Sequence, residues 1–181
     1  MANRIFRQNT YVYFIDNDDS YIRDVLARFE EVNDYNISIY TRSKEFFEDF
    51  SEVIPSKKQI DIIFLATTLE TDQENQIVEP IDVLKKIKEI NPYAEVILYS
   101  ENDDINMVSS AFHYGAYTFI KKNENITLRI LNNIKGIISQ RNFLLKKEAG
   151  IYMVKLFLLF FLVLIVLFAL LYSFFPELFS F

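Results

Sequence analysis

Along the chain, short apolar runs alternate with segments whose apolar residues recur every three or four positions, until a final stretch where the alternation stops. Tyr11 to Ile15 (YVYFI) is a continuous apolar and aromatic run that predicts a buried strand, ending at the acidic turn Asp16, Asn17, Asp18, Asp19. From Ser20 the period lengthens: Ile22, Val25, Leu26 and Phe29 share one helical face, with Asp18 or Asp19 placed to cap the first amides. Tyr35 to Tyr40 alternates as a strand does, and Thr41 or Ser43 is expected to cap a second helix carrying Phe46, Phe47, Phe50 and Val53 as far as Pro55. Asp61 to Ala66 (DIIFLA) predicts a third strand. The polar segment Thr67 to Glu79 is long for a connection between strand and helix, and reads as an ordered surface lid or a mobile loop. Pro80 suits a first helical turn, and Val83, Leu84, Ile87 and Ile90 follow at helical spacing. Glu95 to Ser100 (EVILYS) predicts a fourth strand. Met107, Val108, Ala111 and Phe112 then face one side of a short helix ending near Gly115, and Tyr117 to Ile120 (YTFI) predicts a fifth strand. Strands alternating with helices, several apolar on both faces, imply an α/β domain with a mostly parallel sheet covered on both sides.

A fifth helix is expected from about Asn123 or Glu124, with Ile126, Ile130, Ile134, Ile137, Ile138 and Leu145 as its apolar stripe. Gly136 is tolerated inside it at a cost of about 1 kcal/mol. Beyond it, Leu156 to Leu171 has no polar side-chain atom, and the run continues to Phe175 before Pro176. A helix of about twenty residues spans about 30 Å, the hydrocarbon thickness of a bilayer. A buried core helix is the competing reading, but a chain of 181 residues has no second layer to hide a helix apolar on every side. Arg141, Lys146, Lys147 and Lys155 precede the run against Glu148, while Glu177 alone follows it, so the N-terminal part is expected in the cytoplasm.

The organisation expected is therefore a single-pass protein of the cell inner membrane: a cytoplasmic domain over residues 8–140, a juxtamembrane helix over 141–155, a transmembrane helix over 156–175 and a short outer tail over 176–181. Gly150 is a candidate swivel. The stripe outlasts the sheet it covers, which makes Ile137, Ile138, Phe143, Leu144 and Leu145 candidates for a partner surface or for resting at the membrane lipid interface. A different integral membrane subunit is the favoured partner. A homodimer is less favoured, since the segment has neither a sustained heptad nor a glycine-zipper face.

Composition narrows the chemistry. A net charge of -6 and a sequence pI of ≈ 4.9 leave no basic stripe for a nucleic-acid backbone. Zero cysteines and one histidine, His113, remove disulfides, iron–sulfur clusters and nearly every structural zinc arrangement, so any metal would be a hard cation on carboxylates. The first turn is acidic and no glycine-rich phosphate loop appears, which disfavours a flavin or other phosphate-bearing cofactor; none is expected.

Taken in order, FIDNDDSYIRDVLARF, DIIFLA, VILYS and GAYTFIKK resemble the receiver domain of bacterial two-component response regulators over about residues 11 to 140. The resemblance implies a flavodoxin-like five-stranded parallel sheet of order 2-1-3-4-5 with helices on both faces. It also implies a site at the carboxyl ends of the first, third and fifth strands, where open parallel sheets hold ligands. In that family two acidic residues after the first strand help hold magnesium, an aspartate closing the third strand accepts phosphate, a Ser or Thr follows the fourth, and a Lys follows the fifth. Asp16 keeps the first acidic position, but Asn17 stands at the second and Ala66 at the acceptor. A methyl group offers no nucleophile, so the family's aspartyl-phosphate cannot form there. Ser100 matches the hydroxyl, Phe119 the switch aromatic and Lys122 the lysine, while Asn123 replaces the usual proline.

Lys122 is expected to pair with Asp16 or Asp18 in place of the lost acceptor. Asp16 and Asp18 are the carboxylates that could still touch Mg²⁺, although no metal is expected. Thr67 and Thr68 read as loop hydrogen-bonding residues. Asp61 begins its strand, about 16 Å from the Ala66 end, and cannot replace the acceptor. His113 reads as a surface or partly buried polar residue. The function expected is a noncatalytic, membrane-anchored binding module, an accessory subunit of a larger membrane complex. The alternatives are a signalling response regulator with a non-standard acceptor and a small flavodoxin-like enzyme.

Overall fold

The computed structural model describes residues 9–69, 79–101 and 104–174, with side chains described as far as residue 169. Most of the polar connection at 67–79 lies outside the described residues, as do the predicted end of the membrane span at 175 and the tail over 176–181. The chain divides into two compact units, Met1–Ile138 and Ser139–Phe181.

In the first unit the apolar runs become strands: β1 (Thr10–Ile15), β2 (Asn36–Tyr40), β3 (Ile60–Ala66), β4 (Glu95–Ser100) and β5 (Thr118–Lys121). They form one parallel sheet in the order β2-β1-β3-β4-β5. The sheet is flavodoxin-like. Every residue of β3 is buried, as expected for a central strand with a helical layer on each face.

The helices are α1 (Asp19–Ala27), α2 (Ser43–Phe50), α3 (Pro80–Ile90), α4 (Ile105–His113) and the long α5 (Ile126–Phe174), with a short 3₁₀ turn at Val32–Asp34. Tyr13 and Tyr40 pack edge-on against Phe46 of α2, and Tyr13 also meets Phe50, which fixes α2 on one face of the sheet. On the other face Phe14 stacks on Phe64 at 4.8 Å. Lys135 of α5 pairs with Glu31, just after α1, at 3.0 Å, tying these two elements together.

A cap, a helix start and one buried face differ from the pattern. Arg42, not Thr41 or Ser43, occupies the N-cap of α2, and its side chain makes no capping bond. Helix α5 begins at Ile126, because Ile126 N–H bonds back to Asn123 O in a preceding turn. Phe112, expected on the buried face of α4, is 50% exposed, while Ala111 is buried. Helix α4 ends as anticipated near Gly115, whose φ of +88° favours glycine.

The second unit is the continuation of α5. The helix runs without a break through Gly150, and among the described residues one helix is long and apolar enough to cross a membrane. Ile151 to Phe168 presents its apolar side chains outward, and none of the large ones is less than 44% exposed.

Candidate functional site

The site is built where β1 and β4 end, from residues that the parallel register puts in one row. Ala66 pairs with Tyr99, and Tyr99 with Ile120. Asp16 follows Ile15, which pairs with Leu65, and its N–H continues the ladder to Tyr40 O at 3.0 Å. Lys122 lies two positions past Ile120, so strand alternation returns it to the same face. The sequence pattern thus gathers Asp16, Ala66, Tyr99 and Lys122 at one edge.

Asp16 is the centre of this group, and its side chain is 0% exposed. Its Oδ2 accepts from the Tyr99 hydroxyl at 2.8 Å and from Lys122 Nζ at 2.7 Å, while Oδ1 accepts from the Asp18 backbone N–H at 3.1 Å. Lys122 sits between two aromatic rings, 4.9 Å from the Tyr21 centroid and 4.8 Å from that of Tyr99. A cation over aromatic faces and against a buried carboxylate is held by charge and ring quadrupole together. Burial, then the Asp16 charge, pushes the Tyr99 phenol well above the ordinary tyrosine range, so it stays a donor. Burial also raises Tyr21, with Asp16 adding to the shift.

The remaining acidic-turn residues serve the helix. Asp18 accepts from Tyr21 N–H at 2.9 Å and from Ser20 Oγ at 2.6 Å, which makes it the N-cap of α1. The Ser20 hydroxyl and then the Tyr21 amide hold its carboxyl below the ordinary aspartate range. Asp19 pairs with Arg23 at 3.0 Å. Asn17 and Asp18 are exposed, and among the described residues no three Asp, Glu or His side chains converge as a metal site would require.

Other residues named from the sequence fall elsewhere. Ser100 alternates to the opposite face from Tyr99 and is half-buried; its carbonyl accepts from Lys122 N–H at 2.7 Å. Phe119 is half-buried and lines a groove of about 450 Å³ with Ile105, Val108, Lys121 and Arg129. Thr67 is buried beside Ala66, with its N–H on Tyr99 O at 3.3 Å, and Thr68 is exposed. His113 is exposed. Asp61 lies at the other end of β3, 1% exposed, where it accepts from Gln59 Nε2 at 2.8 Å and Asn91 Nδ2 at 2.9 Å. Nearby Tyr13 is raised by burial and then by the Asp61 charge. A wider groove of about 640 Å³ between α2 and α3 is bridged by Lys86 over the Phe47 ring and does not include Asp16.

Two of the five partner-surface candidates are withdrawn. Ile137 and Ile138 are 2% and 6% exposed and belong to the domain core, because α5 is still covering the sheet at that point. Phe143 and Leu144 are exposed, at 67% and 46%, and Leu145 is half-buried. The residue that the sequence pattern passed over is Tyr99. The sequence carries no signal for it, since the register that sets Tyr99 beside the small Ala66 appears only once the strands are paired.

No family model and no curated protein matches the sequence. Solved structures do match by shape. A CheY-like response regulator receiver domain protein from Methanospirillum hungatei JF-1 is 16% identical with a TM-score of 0.60, covering 74% of this chain and 96% of that one. A two-component response regulator from Clostridium difficile is 19% identical with a TM-score of 0.59, covering 74% and 98%. A response regulator protein from Burkholderia pseudomallei, whose structure has a phosphorylated aspartic acid and a calcium ion, is 17% identical with a TM-score of 0.55, covering 72% and 69%. The five-stranded order and these likenesses agree: the chain has the fold of a response-regulator receiver domain, joined to a long apolar helix.

Proposed function

We propose that this chain is a noncatalytic, membrane-anchored receiver-like module that works by binding protein, as an accessory subunit of a larger membrane complex. The observation that carries the reading is the closed edge: Asp16 Oδ2 is held by both Tyr99 and Lys122, and the neighbouring strand end is Ala66. A carboxylate already taken by a phenol and an ammonium is poorly placed to hold a cation, and alanine cannot take a phosphoryl group. Protein contact is then the output left to the domain. The charge-free apolar run of α5 supports an anchor beside larger subunits rather than a path for ions of its own.

The direct test uses the full chain in lipid nanodiscs with acetyl phosphate, or beryllofluoride, and Mg²⁺. The expected outcome is no stoichiometric gain in intact mass and no saturable NMR shift around Asp16 and Ser100. A phosphoryl adduct that disappears in Thr67→Val would replace this reading with that of a response regulator using a non-standard acceptor. For the partner, photocrosslinkers at Gln140, Leu144 and Lys147 in native membranes are expected to give adducts with one integral membrane protein. Lipid adducts alone, with co-purifying proteins unchanged after removal of the helix, would reduce the segment to a tether.

A further inference from the structure

The hydrogen bond from Tyr99 to Asp16 joins β4 to β1, yet β3 lies between them. Neighbouring strands are about 4.8 Å apart, so the two backbones are about 9.6 Å apart at this row. With ordinary bond lengths a tyrosine oxygen stands roughly 6.5 Å from its own Cα, and a carboxylate oxygen roughly 3 Å from its own. The two can meet at 2.8 Å only if the phenol leans across β3. The residue of β3 in that row is Ala66, in register with Tyr99 and leaving the sheet on the same face. Phe64, two positions earlier on that face, meets the Tyr99 ring edge-on with centroids 6.4 Å apart, which places the ring along β3 rather than outward over β5. Both Ala66 and Tyr99 are 0% exposed.

We propose that Tyr99 is the resident occupant of the space above residue 66, and that Ala66 and Tyr99 are a matched pair. The small residue is what lets the ring cross, and the ring fills the volume that a longer side chain at 66 would take. The inference rests on the reading of a closed edge given above and adds a cause: the missing acceptor and the capped Asp16 are one packing arrangement, not two separate losses. A carboxylate returned to position 66 alone would meet the ring instead of an open pocket. The edge is held in one arrangement by a side chain of its own, independent of any phosphate donor or divalent cation.

The experiment uses the full chain in detergent micelles with ¹³C-methyl alanine, the Ala66 signal assigned by Ala66→Gly. The Ala66 methyl is expected upfield of the other alanines, shielded by the ring, and is expected to move back downfield in Tyr99→Leu. In thermal unfolding, Ala66→Val is expected to lower Tm by about 5–10 °C in the Tyr99 background, the ordinary effect of overpacking. The same change is expected to lower it by less than half as much in the Tyr99→Leu background. An unshifted Ala66 methyl, or an equal Tm loss in the two backgrounds, overturns the pairing. Should Ala66→Val not fold, the methyl shift in the native chain and in Tyr99→Leu decides by itself. Failure here leaves the noncatalytic reading standing, since that depends on the response of the native chain to phosphate donors and Mg²⁺.

Discussion

Asp16 keeps a carboxylate at 0% exposure, and such a group is tolerated only while donors surround it. Of its three hydrogen bonds among the described residues, the one from Lys122 alone has a charged donor, and Lys122 is itself 12% exposed between two rings. Removing one partner of a buried pair leaves the other uncompensated, which costs more than the pair contributes relative to neutral residues. Lys122→Met is therefore expected to destabilise the domain by about 3 kcal/mol, at the lower end for buried pairs because Tyr99 and the Asp18 amide remain. Asp16→Asn together with Lys122→Met is expected to lose less than Lys122→Met alone. Urea denaturation of the full chain in micelles checks both, and a loss below about 0.5 kcal/mol for Lys122→Met would mean that the lysine is a bystander. The resemblance to receiver domains implied that Lys122 pairs with Asp16 or Asp18, and the partner observed is Asp16. Tyr99 was not legible in the sequence, because strand alternation gives the face a side chain leaves from and not how far it leans. Its partner is 83 positions away, across an intervening strand.

At the level of elements, strands were the most legible parts, since both faces of a central parallel strand are buried and the apolar run simply ends where the strand does. Each β boundary read from the sequence lies within one residue of the observed one. Helix ends depend on which side chain or amide happens to meet the orphan groups, and there the pattern misplaced the cap of α2 and the start of α5. It also made Ile137 and Ile138 candidates for a partner surface or the membrane interface, because periodicity marks an apolar face without marking how far the sheet beneath it reaches. The end of α4 was legible through Gly115. There Ala116 N–H bonds to Ala111 O at 2.9 Å and Gly115 N–H to Phe112 O at 3.1 Å, the paired bonds of a left-handed helix stop. A Cβ at Gly115 would meet only Lys88 Cε, at an ordinary 3.5 Å, so the space is available and the φ of +88° is the whole obstacle. Gly115→Ala is accordingly expected to cost about 1 kcal/mol, with no change in the NMR signals of the Asp16 edge. A cost near zero would show that the turn relaxes out of the left-handed region. Spreading of the effect to Tyr99 would show that the α4 stop positions β4 as well as β5.

At the scale of the whole molecule, the second unit poses a solvation problem that the first does not. From Leu156 to Phe168 every side chain is bulky, apolar and 44% or more exposed, a continuous surface far beyond the scattered apolar residues of a soluble protein. A helix satisfies its backbone internally, so lipid is a suitable solvent for it while water is not. Full-length chain is therefore expected to stay with membranes through alkaline carbonate extraction, and chain truncated before Ile151 to appear in the soluble fraction. Leu162→Arg places a charge at the centre of the run, at a cost of about 2.5–3.5 kcal/mol for insertion, and is expected to raise the extractable fraction. Direction across the membrane rests on Arg141, Lys146, Lys147 and Lys155, all on the N-terminal side. With a tag at each end, protease added outside spheroplasts is expected to spare the N-terminal tag and remove the C-terminal one. Release of the intact chain by carbonate would reject the span. Digestion of the N-terminal tag from outside would keep the span and reverse its direction, putting the Asp16 edge on the side of the membrane opposite to that expected from the flanking charges.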